Sequence, residues 1–132
     1  MPQTFRTATI LVVDDEPLVL GSVGNILRHA GYEVLQSASP NEALQLAMQH
    51  DGPIDLLLAD VIMPGLSGPS LAERFAALHP ETRCMFMAGL PDTPEIINRI
   101  LRRGKPFLAK PFFPKALVAK VSEVLEAPSV AA

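Results

Sequence analysis

The chain has 132 residues, of which 48% are hydrophobic and 19% are charged. This length suits one domain with a substantial apolar core, which we place at residues 8–127, with flexible termini at 1–7 and 128–132. The net charge of −3 and the absence of a long basic stripe argue against nucleic-acid binding. No apolar run is long enough to cross a bilayer and no signal-peptide pattern stands at the start, so we expect a cytoplasmic protein without membrane contact.

Five short apolar segments alternate with helical patterns, which is typical of an α/β domain with a parallel sheet. Strands that are apolar on both faces need helices above and below them, and the helical patterns supply those apolar faces. We predict strands at Thr9–Val13, Glu33–Gln36, Asp55–Ala59, Cys84–Ala88 and Phe107–Ala109.

The helical patterns carry start and stop signals. The first has apolar residues at helical spacing and stops at Gly31. The second begins at Ser39 and Pro40, and Glu42 completes the pattern of a capping box. The remaining helices are predicted around Leu71–Leu78, after Thr93-Pro94, and at about Lys115–Glu126.

Charged residues follow three of the predicted strands. Asp14, Asp15 and Glu16 follow the first, Asp60 follows the third, and Lys110 follows the fifth. Because ligands bind at the carboxyl ends of strands in an open parallel sheet, we expect these groups to crowd one edge. Carboxylates this close repel one another unless a cation is present, and an oxygen ligand set suits Mg²⁺. No cluster of cysteine and histidine indicates zinc.

Other chemistry-bearing residues have simpler structural explanations. The lone Cys84 excludes an internal disulfide and lies among apolar residues, so we expect a buried, inert thiol. The basic run Arg102-Arg103 with Lys105 ends a helical pattern, where cations offset the helix dipole rather than bind a polyanion. The same explanation covers the three histidines, which all fall at the ends of helical patterns: His29, His50 and His79.

Three stretches together form a specific pattern: Ile10–Pro17 (ILVVDDEP), Asp55–Gly65 (DLLLADVIMPG) and Phe107–Phe112 (FLAKPF). With them the chain resembles the receiver domain of bacterial response regulators, from Ala8 to about Glu126. The resemblance implies a flavodoxin-like (βα)5 fold, a doubly wound five-stranded parallel sheet of order 2-1-3-4-5. The loop at 65–69 and the segment at 110–114 look especially like receivers that are attached to, or serve, hybrid sensor kinases.

The resemblance also implies roles for individual residues. Asp60 matches the phosphoacceptor. Asp15 would bind Mg²⁺ directly, together with Asp60 and the backbone carbonyl of Ile62, and Asp14 would act mainly through a bound water. Lys110 would contact the phosphoryl oxygens, and its peptide bond to the following proline is typically cis in this family.

The implied partners are proteins. A sensor histidine kinase or a histidine phosphotransfer protein would donate the phosphoryl group, and a downstream protein would read the result. Direct nucleic-acid binding is not expected, and the chain would be a monomer or a weak dimer. No enzymatic turnover is expected beyond self-phosphorylation from small donors and slow autodephosphorylation.

Two features depart from the family pattern. Receivers normally have serine or threonine where this chain has Ala88, so the hydroxyl that contacts the phosphoryl group is missing, although Phe107 matches the aromatic switch residue. We hypothesise that phosphorylation occurs while its conformational readout is weakened; alternatively, backbone amides or water fill the gap. Ile62 and Leu90 flank the acceptor site and cannot activate water, which predicts slow autodephosphorylation.

Two other functions compete with this interpretation. A Mg²⁺-dependent phosphohydrolase of the haloacid-dehalogenase kind would need Asp-x-Asp after the first strand, whereas this chain has Asp14-Asp15-Glu16 and no insertion able to form a cap. A pseudo-receiver would bind partners without phosphorylation, through the face made by the fourth helix, fifth strand and fifth helix. Only Ala88 favours the pseudo-receiver.

Overall fold

The computed structural model describes residues 7–89 and 94–127. Most of the predicted flexible termini, together with Leu90 and Thr93, therefore lie outside the described residues. The strands are β1 (Thr9–Val13), β2 (Glu33–Ser37), β3 (Leu56–Asp60), β4 (Arg83–Ala88) and β5 (Phe107–Ala109). The helices are α1 (Pro17–His29), α2 (Pro40–Gln49), α3 (Gly68–Leu78), α4 (Pro94–Arg102) and α5 (Pro114–Glu126).

The five strands form one parallel sheet of order β2-β1-β3-β4-β5, which confirms the predicted topology. Strand order reverses between β1 and β3, the position at which open α/β sheets bind ligands. In the register of these two strands Val13 lies beside Ala59, so the residues that follow both strands emerge together. Ala88 lies beside Ala109 in the same way, which places Lys110 at the same edge of the sheet.

Strand β3 begins and ends one residue later than predicted. Asp55 precedes the strand, and its carboxylate accepts a hydrogen bond from the backbone N–H of Thr9 at 2.7 Å. Asp60 belongs to the strand because its backbone pairs with Met87 of β4. The phosphoacceptor candidate is thus held by the ladder of the sheet rather than by a loop.

Each face of the sheet carries its own apolar core, because successive side chains of a strand point to opposite faces. One core joins Leu11, Leu57 and Phe75 with residues of α2 and α3. The other joins Ile10 and Val12 with residues of α1 and α5. Every residue of β1 and β3 is buried, so these two strands form the centre of the domain.

Helix ends follow the sequence signals with one change. The Ser39 hydroxyl accepts a hydrogen bond from the Glu42 backbone N–H at 3.2 Å. The backbone N–H of Ser39 donates to the Ser37 hydroxyl at 3.4 Å, a partner that the capping-box pattern does not predict. The three histidines lie at helix ends as predicted, and the ring of His79 also stacks on Phe75 with centroids 5.4 Å apart. Among the described residues no helix is both long and apolar enough to cross a membrane.

Candidate phosphoacceptor site

Three carboxylates meet at the carboxyl edge of the sheet. Oxygen atoms of Asp14, Asp15 and Asp60 all lie within 4.8 Å of one another. Asp14 is 0% exposed and Asp60 is 6% exposed, whereas Asp15 faces solvent. The cluster therefore has a buried floor of two carboxylates and one side that is open to solvent.

Lys110 supplies a cation to the buried floor. Its Nζ atom lies 3.1 Å from Oδ2 of Asp14 and 3.3 Å from Oδ1 of Asp60. Burial alone would lower the pKa of the Lys110 ammonium, but the hydrogen bond to Asp14 and the negative charges of Asp60 and Asp14 outweigh burial and raise it. Lys110 therefore remains protonated at neutral pH and can neutralise negative charge at this edge.

Local backbone contacts fix the direction of these side chains. The Asp14 carboxylate accepts a hydrogen bond from the Glu16 backbone N–H at 2.9 Å, just before α1 begins at Pro17. The backbone N–H of Lys110 donates to the Ala88 carbonyl at 2.7 Å. The Lys110–Pro111 peptide bond is cis, as the family resemblance implied.

Gly68 is a part of the site that the sequence analysis missed. It is the first residue of α3, and its backbone N–H donates to the Val61 carbonyl at 2.8 Å. A Cβ atom at this position would overlap the backbone oxygen of Asp60 and would lie 3.2 Å from the Phe86 ring. Only a glycine lets α3 approach the end of β3 this closely. The loop at 65–69 resembles that of receivers, but the sequence contains no local signal that distinguishes Gly68 from other glycines, because the constraint comes from a residue in another element.

The residues of the predicted switch lie near Lys110. Ala88 is the last residue of β4 and is buried, and Phe107 is half-buried against the core that also contains Phe86. Phe86 and Phe107 are paired in the register of β4 and β5. Ile62, two residues after Asp60, has an exposed side chain. The carboxyl edge of the sheet thus brings together Asp14, Asp15, Asp60, Ala88 and Lys110. Leu90 lies outside the described part of the chain.

The donor set of this edge fits a small divalent cation. The three carboxylates and one ammonium carry a formal net charge of −2, which a divalent ion would neutralise. All three side-chain donors are hard oxygen atoms, the type that Mg²⁺ prefers over nitrogen or sulfur. The open side at Asp15 leaves room for water, which Mg²⁺ usually retains.

The sequence matches the response regulator receiver domain family over residues 10–122, which is most of the chain. This chain is a response regulator receiver domain. The receiver is 34% identical over 120 residues to the sensor kinase CckA of Brucella abortus (strain 2308), a match that covers 91% of this chain and 13% of that protein.

Solved structures agree with this family. The receiver domain of the hybrid histidine kinase CckA is similar with a TM-score of 0.75 and 36% identity, over 90% of this chain and 100% of that one. A CheY-like receiver domain protein from Methanospirillum hungatei JF-1 is similar with a TM-score of 0.81 and 30% identity, over 92% and 95% of the two chains. The chain spans about half or less of the length of the curated relatives that it matches, for example 51% of the transcriptional regulatory protein PhoB of Pseudomonas aeruginosa.

Proposed function

We propose that this receiver accepts a phosphoryl group on Asp60 in a Mg²⁺-dependent reaction and passes the signal on by protein–protein contact. The donor would be a histidine kinase or a histidine phosphotransfer protein. The observation that carries the proposal is the position of the Asp60 carboxylate, held at the end of β3 with the Lys110 ammonium 3.3 Å away and two further carboxylates beside it.

The chemistry asked of the protein is positioning and charge neutralisation. A carboxylate oxygen of Asp60 would form a bond to phosphorus while the phosphorus–nitrogen bond of the donor breaks. Lys110 would contact the phosphoryl oxygens, and its position 3.1 Å from Asp14 and 3.3 Å from Asp60 supports this role. The hydrogen bond from Glu16 to Asp14 keeps that carboxylate directed at the same edge.

Asp14, Asp15 and Asp60 would hold Mg²⁺, together with the backbone carbonyl of Ile62. When bound, the ion would offset the charge of the carboxylates and of the incoming phosphoryl group. The family resemblance assigns direct contact to Asp15 and Asp60 and a water-mediated role to Asp14. The formal charge of −2 at this edge supports a divalent ion over a monovalent one.

Exposed apolar side chains next to the site support a protein donor. Leu18, at the start of α1, is 88% exposed, and Phe113, just before α5, is 80% exposed. Each lies within four residues of a charged member of the site, Asp14 or Lys110. Apolar residues of this kind would be covered when a donor protein docks over Asp60.

The first experiment measures the intact mass of the protein after incubation with acetyl phosphate and Mg²⁺, beside the Asp60→Asn variant. We expect one phosphoryl adduct that requires Mg²⁺ and is absent from the variant. An Asp55→Asn variant is a useful control, since that carboxylate lies at the opposite end of β3 and should leave the adduct intact.

The alternative is a pseudo-receiver that acts without phosphorylation. Ala88 is the feature in its favour, because the usual hydroxyl is missing at the end of β4. Absence of both an adduct and beryllofluoride binding on the unmutated protein would replace our proposal with this one.

We further propose that this receiver has no enzymatic turnover apart from self-phosphorylation and slow hydrolysis of its own phosphoryl group. We also propose that it works in the cytoplasm.

A further inference from the structure

A cavity of about 250 Å³ lies between α3 and α4, away from the acidic edge. Its floor is apolar and buried, and is formed by Ala72, Phe86 and Ile100. Its remaining lining includes three exposed cations: Arg99, Arg103 and Lys105. We name this feature the α3–α4 cavity.

The cations around the α3–α4 cavity stand out from the charge of the whole chain. Residues 99–105 contain four of the 11 lysine and arginine residues and no acidic residue, although the chain has a net charge of −3. Glu73, which also lines the cavity, pairs with Arg103 at 3.1 Å, with side chains 68% and 58% exposed. An exposed pair of this kind contributes little, so a partner's carboxylate can replace Glu73 readily.

The α3–α4 cavity has room for one apolar side chain and lies at the lower limit for a small-molecule pocket. Small-molecule pockets begin at roughly 300 Å³, above the 250 Å³ found for this cavity. An apolar pocket that accepts one anchor side chain, surrounded by polar contacts, is the usual form of a protein-interaction hot spot. The basic rim selects partners whose flanking residues are acidic.

We propose that the α3–α4 cavity binds an acidic segment of a partner protein, with one apolar side chain on the floor and carboxylates on Arg99, Arg103 and Lys105. This assigns a binding role to a basic run whose position at a helix end suggested only dipole compensation. The surface lies outside the acidic site, and the proposal stands whether or not Asp60 is phosphorylated.

The floor of the α3–α4 cavity is connected to the acidic edge by packing contacts. The Phe86 ring lines the cavity and lies against Gly68, whose close approach to the Asp60 backbone was described above. An anchor side chain on Phe86 would therefore press on the residues that carry Asp60. This path does not use the hydroxyl that Ala88 lacks.

The test uses peptides in which one phenylalanine or leucine is flanked on both sides by three glutamates. Titration into the ¹⁵N-labelled protein, followed by amide NMR, should shift residues of α3 and α4 that line the cavity. The affinity should fall as salt is added, because the rim cations are exposed. A lysine-flanked peptide and a glutamate peptide with no apolar residue should each bind at least tenfold more weakly.

Two pairs of variants locate the binding. Ala76→Leu fills the cavity and should weaken binding at least tenfold, whereas Ala77→Leu, also exposed on α3 but not part of the lining, should not change it. Arg99→Glu should weaken binding similarly, whereas Arg102→Glu, also exposed but outside the lining, should have a much smaller effect.

Three results would overturn the proposal. One is the absence of cavity shifts at millimolar peptide, and another is an equal loss of binding in both members of each variant pair. The third is 4-phenylbutyrate binding as tightly as the peptides, which would identify the occupant as a small organic acid.

Discussion

The centre of the sheet and its β5 edge are packed differently. At the centre, β1 and β3 have five residues each and every one is buried, and the carboxylates that follow them are fixed by the strand register. At the edge of the sheet, β5 has three residues, none of them fully buried, and the neighbouring α4 borders an open cavity. The proposed phosphoryl transfer needs precise placement and would use the fully buried centre, whereas the proposed partner-binding cavity lies where the packing is looser.

Truncation of core residues should show the largest difference in stability between the centre of the sheet and its β5 edge. Leu57→Ala, in the fully buried β3, should lower the free energy of unfolding by about 3–5 kcal/mol, because the vacated space is enclosed on all sides. Ile100→Ala should lower it by about 2–3 kcal/mol, at the low end of the range for such truncations, because Ile100 already borders a cavity. Urea unfolding measures both values, and equal losses would contradict the proposed difference in packing.

Removal of the Lys110 ammonium should have the next largest effect on stability. Lys110→Met removes the ammonium partner of the buried Asp14 and Asp60. With a chelator present to remove divalent metal ions, this change should destabilise the protein by roughly 3 kcal/mol. Millimolar Mg²⁺ should recover much of this loss if the ion binds the carboxylates. Lys120→Met is the control, because its pairing with the exposed Glu123 is worth less than about 1 kcal/mol.

The Lys110 contribution should also depend on pH. Because the folded-state pKa of Lys110 is raised, its stabilisation is complete below the unfolded value of about 10.4 and is lost as the pH rises through the folded value. In chelator, the difference in unfolding free energy between the wild type and Lys110→Met should therefore be constant near neutral pH and should shrink at strongly alkaline pH. If this difference in unfolding free energy grew with pH, the pKa of Lys110 would be lowered on folding rather than raised.

A pair of glycine substitutions compares the site with an unconstrained helix surface. Gly68→Ala should lower the free energy of unfolding by about 1–3 kcal/mol and should reduce phosphorylation by acetyl phosphate, because the new methyl group displaces the Asp60 backbone. Gly21→Ala, within α1 and with no atom within 4 Å of its new Cβ, should stabilise by up to about 1 kcal/mol. A gain of stability in both variants would mean that Gly68 is an ordinary helical glycine.

The smallest expected change in stability, within about 1 kcal/mol, is that of Ala88→Ser. We expect instead a larger amide NMR response of β5 and α4 to beryllofluoride, because the new hydroxyl can contact the bound group and couple it to Phe107. Ala109→Ser is the matched control, since Ala109 is the register neighbour of Ala88 and is exposed. Identical responses in the wild type and Ala88→Ser would indicate that backbone amides or water already fill the gap.

The sequence predicted the central half of the molecule well for a physical reason. Buried parallel strands are almost wholly apolar, so the position at which each becomes charged identifies its carboxyl end. Once Asp14, Asp60 and Lys110 were assigned to such ends, the sheet had to bring them to one edge. Their roles in phosphoryl transfer remain predictions that the experiments above test.

The features that the sequence did not predict depend on how distant elements approach each other. The contact of Gly68 with the Asp60 backbone is set by the angle at which α3 leaves the sheet. The α3–α4 cavity depends on how α3 approaches the end of α4, where Glu73 pairs with Arg103, a residue 30 positions away that directly follows α4. Local periodicity carries no information about such distances, and basic residues at a helix end have the same pattern whether or not they line a cavity.

The hydrogen bond between Lys110 and Asp14 joins residues that are 96 positions apart in the chain. A ribosome adding about 5–20 residues per second makes the aspartate roughly 5–20 seconds before the lysine. During that interval the carboxylates of a growing chain lack the cation that completes their edge. Under the proposed function, a nascent receiver therefore cannot complete its phosphoacceptor site until the residue that follows β5 has been synthesised.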